Sequence, residues 1–409
     1  MKILMVNKFL YPRGGAESYM LSIGRHLESS GHEVQYFGMY DEKNTVGNEA
    51  GEYTANMDFH TGSLKKLFYP FKIIYSFEAR RKIGRVLDSM KPDVVHLNNI
   101  SFQLTPSVID AAYKRKIPVV WTLHDCQLVC PDHLMYNSDR QTVCEKCVGG
   151  SKMHCIKDRC IHSSLAKSII GTAEAYLYKH KKAYGRVDAF IAPSRFLYGK
   201  LLKDNEKLFS GRTYVMHNFV NKRKLQAGAK NGFGFNYIAF AGRLSTEKGT
   251  GVLAQTARLL PDVRFVVMGD GPEKKRLEGI DNVTLTGFVS GSELDSCLAF
   301  ADAIAVPSVC YENCPMSILE ARMLSVPAVT MNMGGMAELV ENGVTGVLSA
   351  STDPRDFAAA VSDILSDRKR LDEMKENCRK ASQEDMDIAG YCDRLIKIYE
   401  SLKEGAKNA

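Results

Sequence analysis

The feature that most constrains this chain is an alternation, made twice, of short apolar runs with segments of helical period. Ile3–Val6 is followed by Ala16, Met20, Ile23 and Leu27 at helical spacing; Gly31 closes that helix, and Val34–Phe37 is the next run. Val94–Leu97, Val119–Leu123, Ala189–Ala192 and Tyr214–Met216 continue the series, with helices expected at 107–115, 164–184 and 194–203. A polar run at 221–234 reads as a linker, and the alternation restarts. Its strands are Tyr237–Phe240, Arg264–Met268, Val283–Thr286, Ala303–Val306 and 327–331; its helices are 248–259, 291–300 and one beginning near Pro315. Residues 354–405 read as helical throughout. Strands this short, linked through helices, suit parallel sheets covered on both faces. The fold class is α/β, in two βαβ arrays.

A chain of 409 residues exceeds one ordinary core, so two domains are expected. No apolar run approaches the roughly 18 residues that span a membrane. The opening Met-Lys-Ile-Leu-Met-Val is interrupted by Asn7 and Lys8 and reads as a strand rather than a signal peptide. A cytoplasmic location is expected, where eleven cysteines favour free thiols or metal over disulfides.

The net charge of +7 is unevenly placed. Residues 63–87 carry seven Lys/Arg against Glu78, and residues 157–186 carry seven against Asp158 and Glu174. The first segment mixes Phe68, Tyr69, Phe71, Tyr75 and Phe77 with Lys65, Lys66, Arg80 and Arg81, a composition that suits an anionic membrane surface; a core helix with a solvated basic edge is the plainer reading. No motif supports nucleic acid as a partner.

Cys126, Cys130, Cys144, Cys147, Cys155 and Cys160 crowd into 35 residues. Cys144-x-x-Cys147 has zinc-knuckle spacing, and Cys155 and Cys160 would complete a tetrahedral thiolate site, with Cys130 as a substitute ligand. The expectation is a structural zinc, closed to chemistry.

Candidate chemistry falls on loops after strands, the edge where open α/β sheets bind ligands. In the first array these are Gly14-Gly15, where a backbone at a helix N-terminus can approach a phosphate, and His124. In the second, Arg243 offers a planar fork to phosphate oxygens, Lys248 a point charge, and Gly269-Asp270-Gly271-Pro272 a tight turn. Glu312 and Glu320 follow, the first in a loop capped at Asn313 or Cys314, the second inside a helix with Pro315 in its first turn. Eight residues of helix span about 12 Å, too far for a shared-proton dyad or a typical glycosidase pair. Two cations, a backbone turn and two separate hydroxyl clamps suit a nucleoside diphosphate carrying a sugar.

At these residues the sequence resembles the GT-B retaining glycosyltransferases of glycosyltransferase family 4. The matching pieces in the first half are Gly14-Gly15-Ala16-Glu17, Lys91-Pro92-Asp93-Val94-Val95-His96, Thr122-Leu123-His124-Asp125, Ala192-Pro193-Ser194 and Val215-Met216-His217-Asn218. In the second half they are Ala241-Gly242-Arg243-Leu244 through Lys248-Gly249, Gly269-Asp270-Gly271-Pro272, Glu312-x7-Glu320 with Ala321, and Gly334-Gly335-Met336-Ala337-Glu338. One departure is Asn313-Cys314-Pro315, where members commonly carry Phe-Gly after the first Glu.

The resemblance implies a GT-B architecture, two Rossmann-like domains facing a central cleft. The expected divisions are an acceptor-side domain at 1–218 with the Cys-rich insertion at about 126–162, a nucleotide-sugar domain at 219–385, and a helix at 386–409 crossing back. It implies a retaining, metal-independent, hexosyltransferase-like enzyme adding sugar to a growing, lipid-linked surface glycan from the cytoplasmic face of the membrane, with no cofactor beyond its donor. Arg243 and Lys248 would hold the diphosphate as it leaves, and Glu320 the ribose. Glu312, with backbone amides from Asn313 and Cys314 through Pro315 to Met316, would hold the sugar. Gly14, Gly15 and Gly269 would approach the diphosphate, and His124 would touch the sugar. A nucleotide-sugar epimerase of the same fold and a non-catalytic nucleotide-sugar or glycan-binding scaffold are the alternatives.

Overall fold

The computed structural model describes residues 1–56, 69–137, 139–220, 230–385 and 387–407. Lys65 and Lys66 of the basic segment, and 221–229 of the expected linker, lie outside them. The strands are β1 (Lys2–Val6), β2 (Glu33–Phe37), β3 (Val94–Leu97), β4 (Val119–Thr122), β5 (Tyr136–Asn137), β6 (Thr142–Val143), β7 (Ala189–Ala192) and β8 (Thr213–Val215), then β9 (Ile238–Ala241), β10 (Phe265–Met268), β11 (Val283–Gly287), β12 (Ala303–Val306), β13 (Ala328–Met331) and β14 (Gly346–Ser349). β14 escaped the sequence reading because Gly346-Val-Leu-Ser offers only two strongly apolar residues behind a glycine.

The chain divides into two compact units. The first comprises Met1–Met135, Cys144–His217 and Ile388–Ala409, and its parallel sheet runs β2-β1-β3-β4-β7-β8. The second comprises Asn218–Asp387 with the segment Tyr136–Val143, and its parallel sheet runs β11-β10-β9-β12-β13-β14. The insertion is thus not wholly part of the first unit: its antiparallel hairpin, with Tyr136 opposite Val143, groups with the second.

Burial explains why the strands were readable. β3, β4, β7, β10, β12 and β13 are buried at every residue, while the edge strands β8 and β11 are only partly covered. Helix ends follow local chemistry. Ser194 caps Arg195–Phe209 by accepting from the Leu197 amide at 3.1 Å, and Asp353 caps Pro354–Leu365, whose proline stands in the first turn. The C-terminal helix, Ile388–Lys407, packs on the first unit's Gly15–Ser29 helix, where Tyr391 reaches Tyr19, and its Lys403 pairs with Asp93 at 2.7 Å.

In each sheet one central strand has chain neighbours leading away in opposite directions. These reversals are β1/β3 in the first unit and β9/β12 in the second, the topological switch points beside which α/β sheets leave a crevice.

Candidate active site

In the second unit the switch point places the loop after β9 against the loop after β12. Lys248 Nζ lies 2.5 Å from Glu312 Oε1, and the Ser308 hydroxyl donates to the same oxygen at 2.8 Å. Two residues expected to act separately are therefore one ion pair. Burial alone would raise the Glu312 carboxyl, but the Lys248 ammonium and the Ser308 bond hold it below the ordinary carboxylate range. Burial likewise works against the Lys248 charge, and the Glu312 carboxylate outweighs it, raising the ammonium's pKa.

The surrounding loops are stapled by main-chain bonds. Val309 N donates to Glu247 O at 3.0 Å, and Gly335 N to Glu312 O at 2.7 Å. Lys248 stands in the turn before its helix rather than inside it, because Gly249, at φ 73°, is the cap of Thr250–Leu259. A Cβ on Gly249 would lie 1.8 Å from the Pro307 carbonyl oxygen, so glycine there lets the two loops meet. Arg243 is exposed in the turn after β9, whose Leu244 amide donates to Asp270 O at 3.0 Å.

The helix carrying Glu320 is Met316–Met323, capped by Pro315 in an extended conformation (φ −66°, ψ 120°). It starts one residue later than expected, since Pro315 contributes the first accepting carbonyl, to the Ile318 amide at 3.2 Å. Glu312 stands in the loop before this helix and Glu320 in its second turn. Asn313 and Cys314 are buried. Cys314 packs in the second unit's apolar core, with its thiol and carbonyl accepting from the Asn218 amide and side chain at 3.3 and 3.0 Å. Its side chain is core, leaving Met316 half-exposed at the helix start. Gly269 is fixed by the fold as well: its amide donates to Gly287 O at 2.7 Å, and a Cβ would lie 1.8 Å from Gly242 O. The Gly269 amide is thus engaged with the neighbouring strand β11.

Tyr136 is a residue the sequence reading missed. It is buried with its hydroxyl unpartnered, and burial, reinforced by nearby Cys310 and Glu247, raises its pKa to about 12. Only the hairpin's assignment to the second unit brings it to these loops.

In the first unit, His124 follows β4 and meets Asn98, which follows β3, at 3.0 Å from Nε2 to Oδ1. Asn98 is buried and its Nδ2 has no partner. The Tyr19 ring meets the His124 imidazole edge-on at 4.8 Å. Burial pulls the His124 pKa down to about 4 against the opposing pull of Asp125, so the ring is neutral near pH 7. Gly14 caps the helix Gly15–Ser29 in an extended conformation, and both glycines are exposed. A Cβ on Gly15 would meet no atom within 4 Å, so nothing in the packing demands glycine there.

The zinc expectation is corrected. Cys147, Cys155 and Cys160 do gather in one buried cluster with Ile161, but among the described residues no group of three or more His, Cys, Asp or Glu is placed to hold a metal ion. Burial raises the Cys147 thiol to about 11, while a bond from Cys155 and burial raise Cys160, which keeps both protonated. The buried cation beside them is Lys152, whose Nζ donates to Val129 O, Cys147 O and Asp204 Oδ1 at 2.9, 2.8 and 2.6 Å. Neither Cys144 nor the substitute Cys130 completes a ligand set.

Comparison with known proteins places these loops in context. Residues 13–224 match the family model described as Glycosyltransferase Family 4, and residues 223–381 the one described as Glycosyl transferases group 1. The α-D-kanosaminyltransferase of Streptomyces kanamyceticus is 29% identical over 40% of this chain, and the match spans 45% of that relative's length. An uncharacterized glycosyltransferase of Methanocaldococcus jannaschii is 24% identical over 99% of both chains. Among solved structures, Anabaena HepE in complex with UDP superposes with a TM-score of 0.68 at 19% identity, covering 98% of this chain and all of that one.

Proposed function

The chain belongs to glycosyltransferase family 4, with the GT-B fold, and on that premise we propose a retaining glycosyltransferase that moves a sugar from a nucleoside-diphosphate donor to a hydroxyl of a lipid-linked glycan. The Lys248–Glu312 pair at the second unit's switch point carries the reading. It keeps a charged ammonium fixed without a bound anion, beside the exposed Arg243. In the proposed mechanism these two cations hold the donor diphosphate and stabilise it as it leaves, the electrostatic task that dominates such chemistry. Glu320 takes the ribose hydroxyls. Glu312 takes a sugar hydroxyl on the oxygen that Lys248 and Ser308 leave open. In the first unit the Gly15 amide is the proposed diphosphate contact, and neutral His124 with the free Asn98 amide the proposed sugar contact. The acceptor attacks the face the diphosphate leaves, and a diphosphate oxygen accepts its proton; no resident metal takes part. The second unit is the proposed donor domain, and UDP in the HepE structure supports the nucleotide class.

A lipid-linked acceptor is supported by a groove of about 540 Å³ lined by Phe77, Arg80, Arg81 and Lys114, in which Phe77 is 74% exposed. An exposed aromatic ring beside four cations, with Glu78 as the one acid of the lining, suits an anionic membrane surface on the cytoplasmic side. Among the described residues no helix is long and apolar enough to cross a membrane.

The test is a panel of nucleotide sugars, read by thermal protection and by release of free nucleoside diphosphate. One donor is expected to protect, and Glu320→Ala to raise its KM roughly 10- to 100-fold by removing a charged hydroxyl clamp. Protection that survives Glu320→Ala removes that residue from the ribose role. Release of an epimerised free sugar without acceptor would replace transfer by epimerisation.

A further inference from the structure

Five buried polar groups of the first unit form one hydrogen-bonded chain that begins and ends on the C-terminal helix. Tyr391 Oη lies 2.7 Å from Tyr19 Oη, and Tyr19 Oη 3.1 Å from Thr122 Oγ1. Thr122 Oγ1 lies 2.8 Å from His96 Nε2, and His96 Nδ1 2.6 Å from Tyr399 Oη. Tyr391, Thr122, His96 and Tyr399 have no exposed surface, and Tyr19 has 3%. Burial drives the His96 pKa down to about 3, so the ring is neutral, with one N–H and one acceptor nitrogen. The chain therefore has a direction: the His96 nitrogen that donates to one hydroxyl obliges the other hydroxyl to donate to it. A buried chain satisfied in this way holds its members in one geometry more strictly than apolar packing does.

The near end of the chain stands directly behind His124. The Tyr19 ring meets two others edge-on, His124 at 4.8 Å and Tyr391 at 5.7 Å. Asn98 Oδ1 meets the His124 Nε2 at 3.0 Å, and the Tyr19 ring packs edge-on against the imidazole, so a shift of that ring bears directly on His124. Tyr19 in turn is set by its hydroxyl, between Thr122 on β4 and Tyr391 on the C-terminal helix.

We propose that Tyr391 is a positioning residue for His124, acting through Tyr19, so that the last helix of the chain sets the geometry of the sugar contact. The inference rests on the reading of His124 as that contact. It gives the C-terminal helix a part in the reaction rather than in stability alone.

The experiment uses full-length Tyr391→Phe, Tyr19→Phe and His124→Ala and the double variant Tyr391→Phe/His124→Ala, with transfer kinetics, melting temperature and the histidine-ring NMR resonances recorded for each. Both phenylalanine variants keep their rings and lose one hydroxyl. Each is expected to lower kcat on the order of tenfold with the donor KM within about twofold, because misplaced contacts act on the transition state. The His124 resonance is expected to move in both. The double variant is expected to be no slower than His124→Ala alone. Wild-type kcat and an unmoved His124 resonance in Tyr391→Phe, beside an impaired His124→Ala, would overturn the proposal alone. A Tyr391→Phe loss that multiplies with that of His124→Ala would also overturn it, since the helix would then act elsewhere. A fully active His124→Ala would overturn the sugar-contact reading and the proposal with it.

Discussion

The two candidate site regions lie beside the same kind of switch point and hold their central groups in opposite states. After β9 and β12, Lys248 and Glu312 are both kept charged by each other, although burial disfavours both charges. After β3 and β4, burial wins: His124 is held neutral and is surrounded by Asn98 and the Tyr19 ring. A fixed ammonium suits a developing anion, whereas a neutral imidazole and an amide suit hydroxyls. One fold pattern thus presents two electrostatic settings, and the deciding variable is whether a counter-charge comes close enough to outweigh burial, as Glu312 does for Lys248 and Asp125 does not for His124.

The largest effect that can break this contrast is expected from Lys248→Ala, which should lower turnover about 10²- to 10³-fold, the usual size for loss of a preorganised electrostatic contact. Steady-state rates with saturating donor would show it. Unimpaired turnover would make the pair structural, and the contrast would lose its charged half. Next comes Gly15→Ala. Its φ is not restricted to glycine and a Cβ there has open space, so the melting temperature should hold while kcat/KM falls roughly tenfold if a donor amide contact requires close approach. Unchanged kinetics would remove Gly15 from the site.

The smallest effect sharpens the role of burial in the first unit. Glu174 is buried with Oε1 unpartnered, and burial, reinforced by Asp125, raises its pKa to about 8. The native state therefore keeps a proton that the unfolded state has released, so this group's contribution is present below about pH 4.5 and is lost as pH rises towards 8. Glu174→Gln should remove that loss, with a gain on the order of 2 kcal/mol at pH 8 and little at pH 4.5. Urea denaturation at the two pH values measures it, and an equal effect at both would show that the carboxyl does not titrate in this range. Two histidines act on the other side. His96 and His124 have pKa values lowered from 6.5 to about 3 and about 4, so their contribution is full above 6.5 and is lost as pH falls through that window.

How much of this was legible follows from what each signal depends on. β1, β3, β4, β7, β9, β10, β12 and β13 were readable because interior parallel strands are mostly apolar runs, whereas β14 and the β5–β6 hairpin carry no such run. Arg243, Lys248, Glu312, Glu320 and His124 stood out because loops after strands otherwise have little reason to hold those residues in those places. The Lys248–Glu312 bond was not legible: 64 residues separate the partners, and nothing local says that β9 lies beside β12. Ser308, Asn98 and Tyr19 were missed for the same reason. The cysteine spacing misled because Cys-x-x-Cys records proximity along the chain, while a tetrahedral site needs four thiolates to converge, and here burial raises the Cys147 thiol against the opposing pull of Lys152.

By itself the sequence determined the two α/β arrays and the family and picked out the candidate loops, because strand burial, helix period and glycine turns are local properties of neighbouring residues. Only the tertiary structure decided the charge states and the partners. It set Lys248 against Glu312, neutral His124 behind Tyr19, and Tyr391 behind both. A pKa or a hydrogen bond depends on what lies within a few ångströms, and in a parallel sheet those neighbours come from strands and helices far apart in the chain.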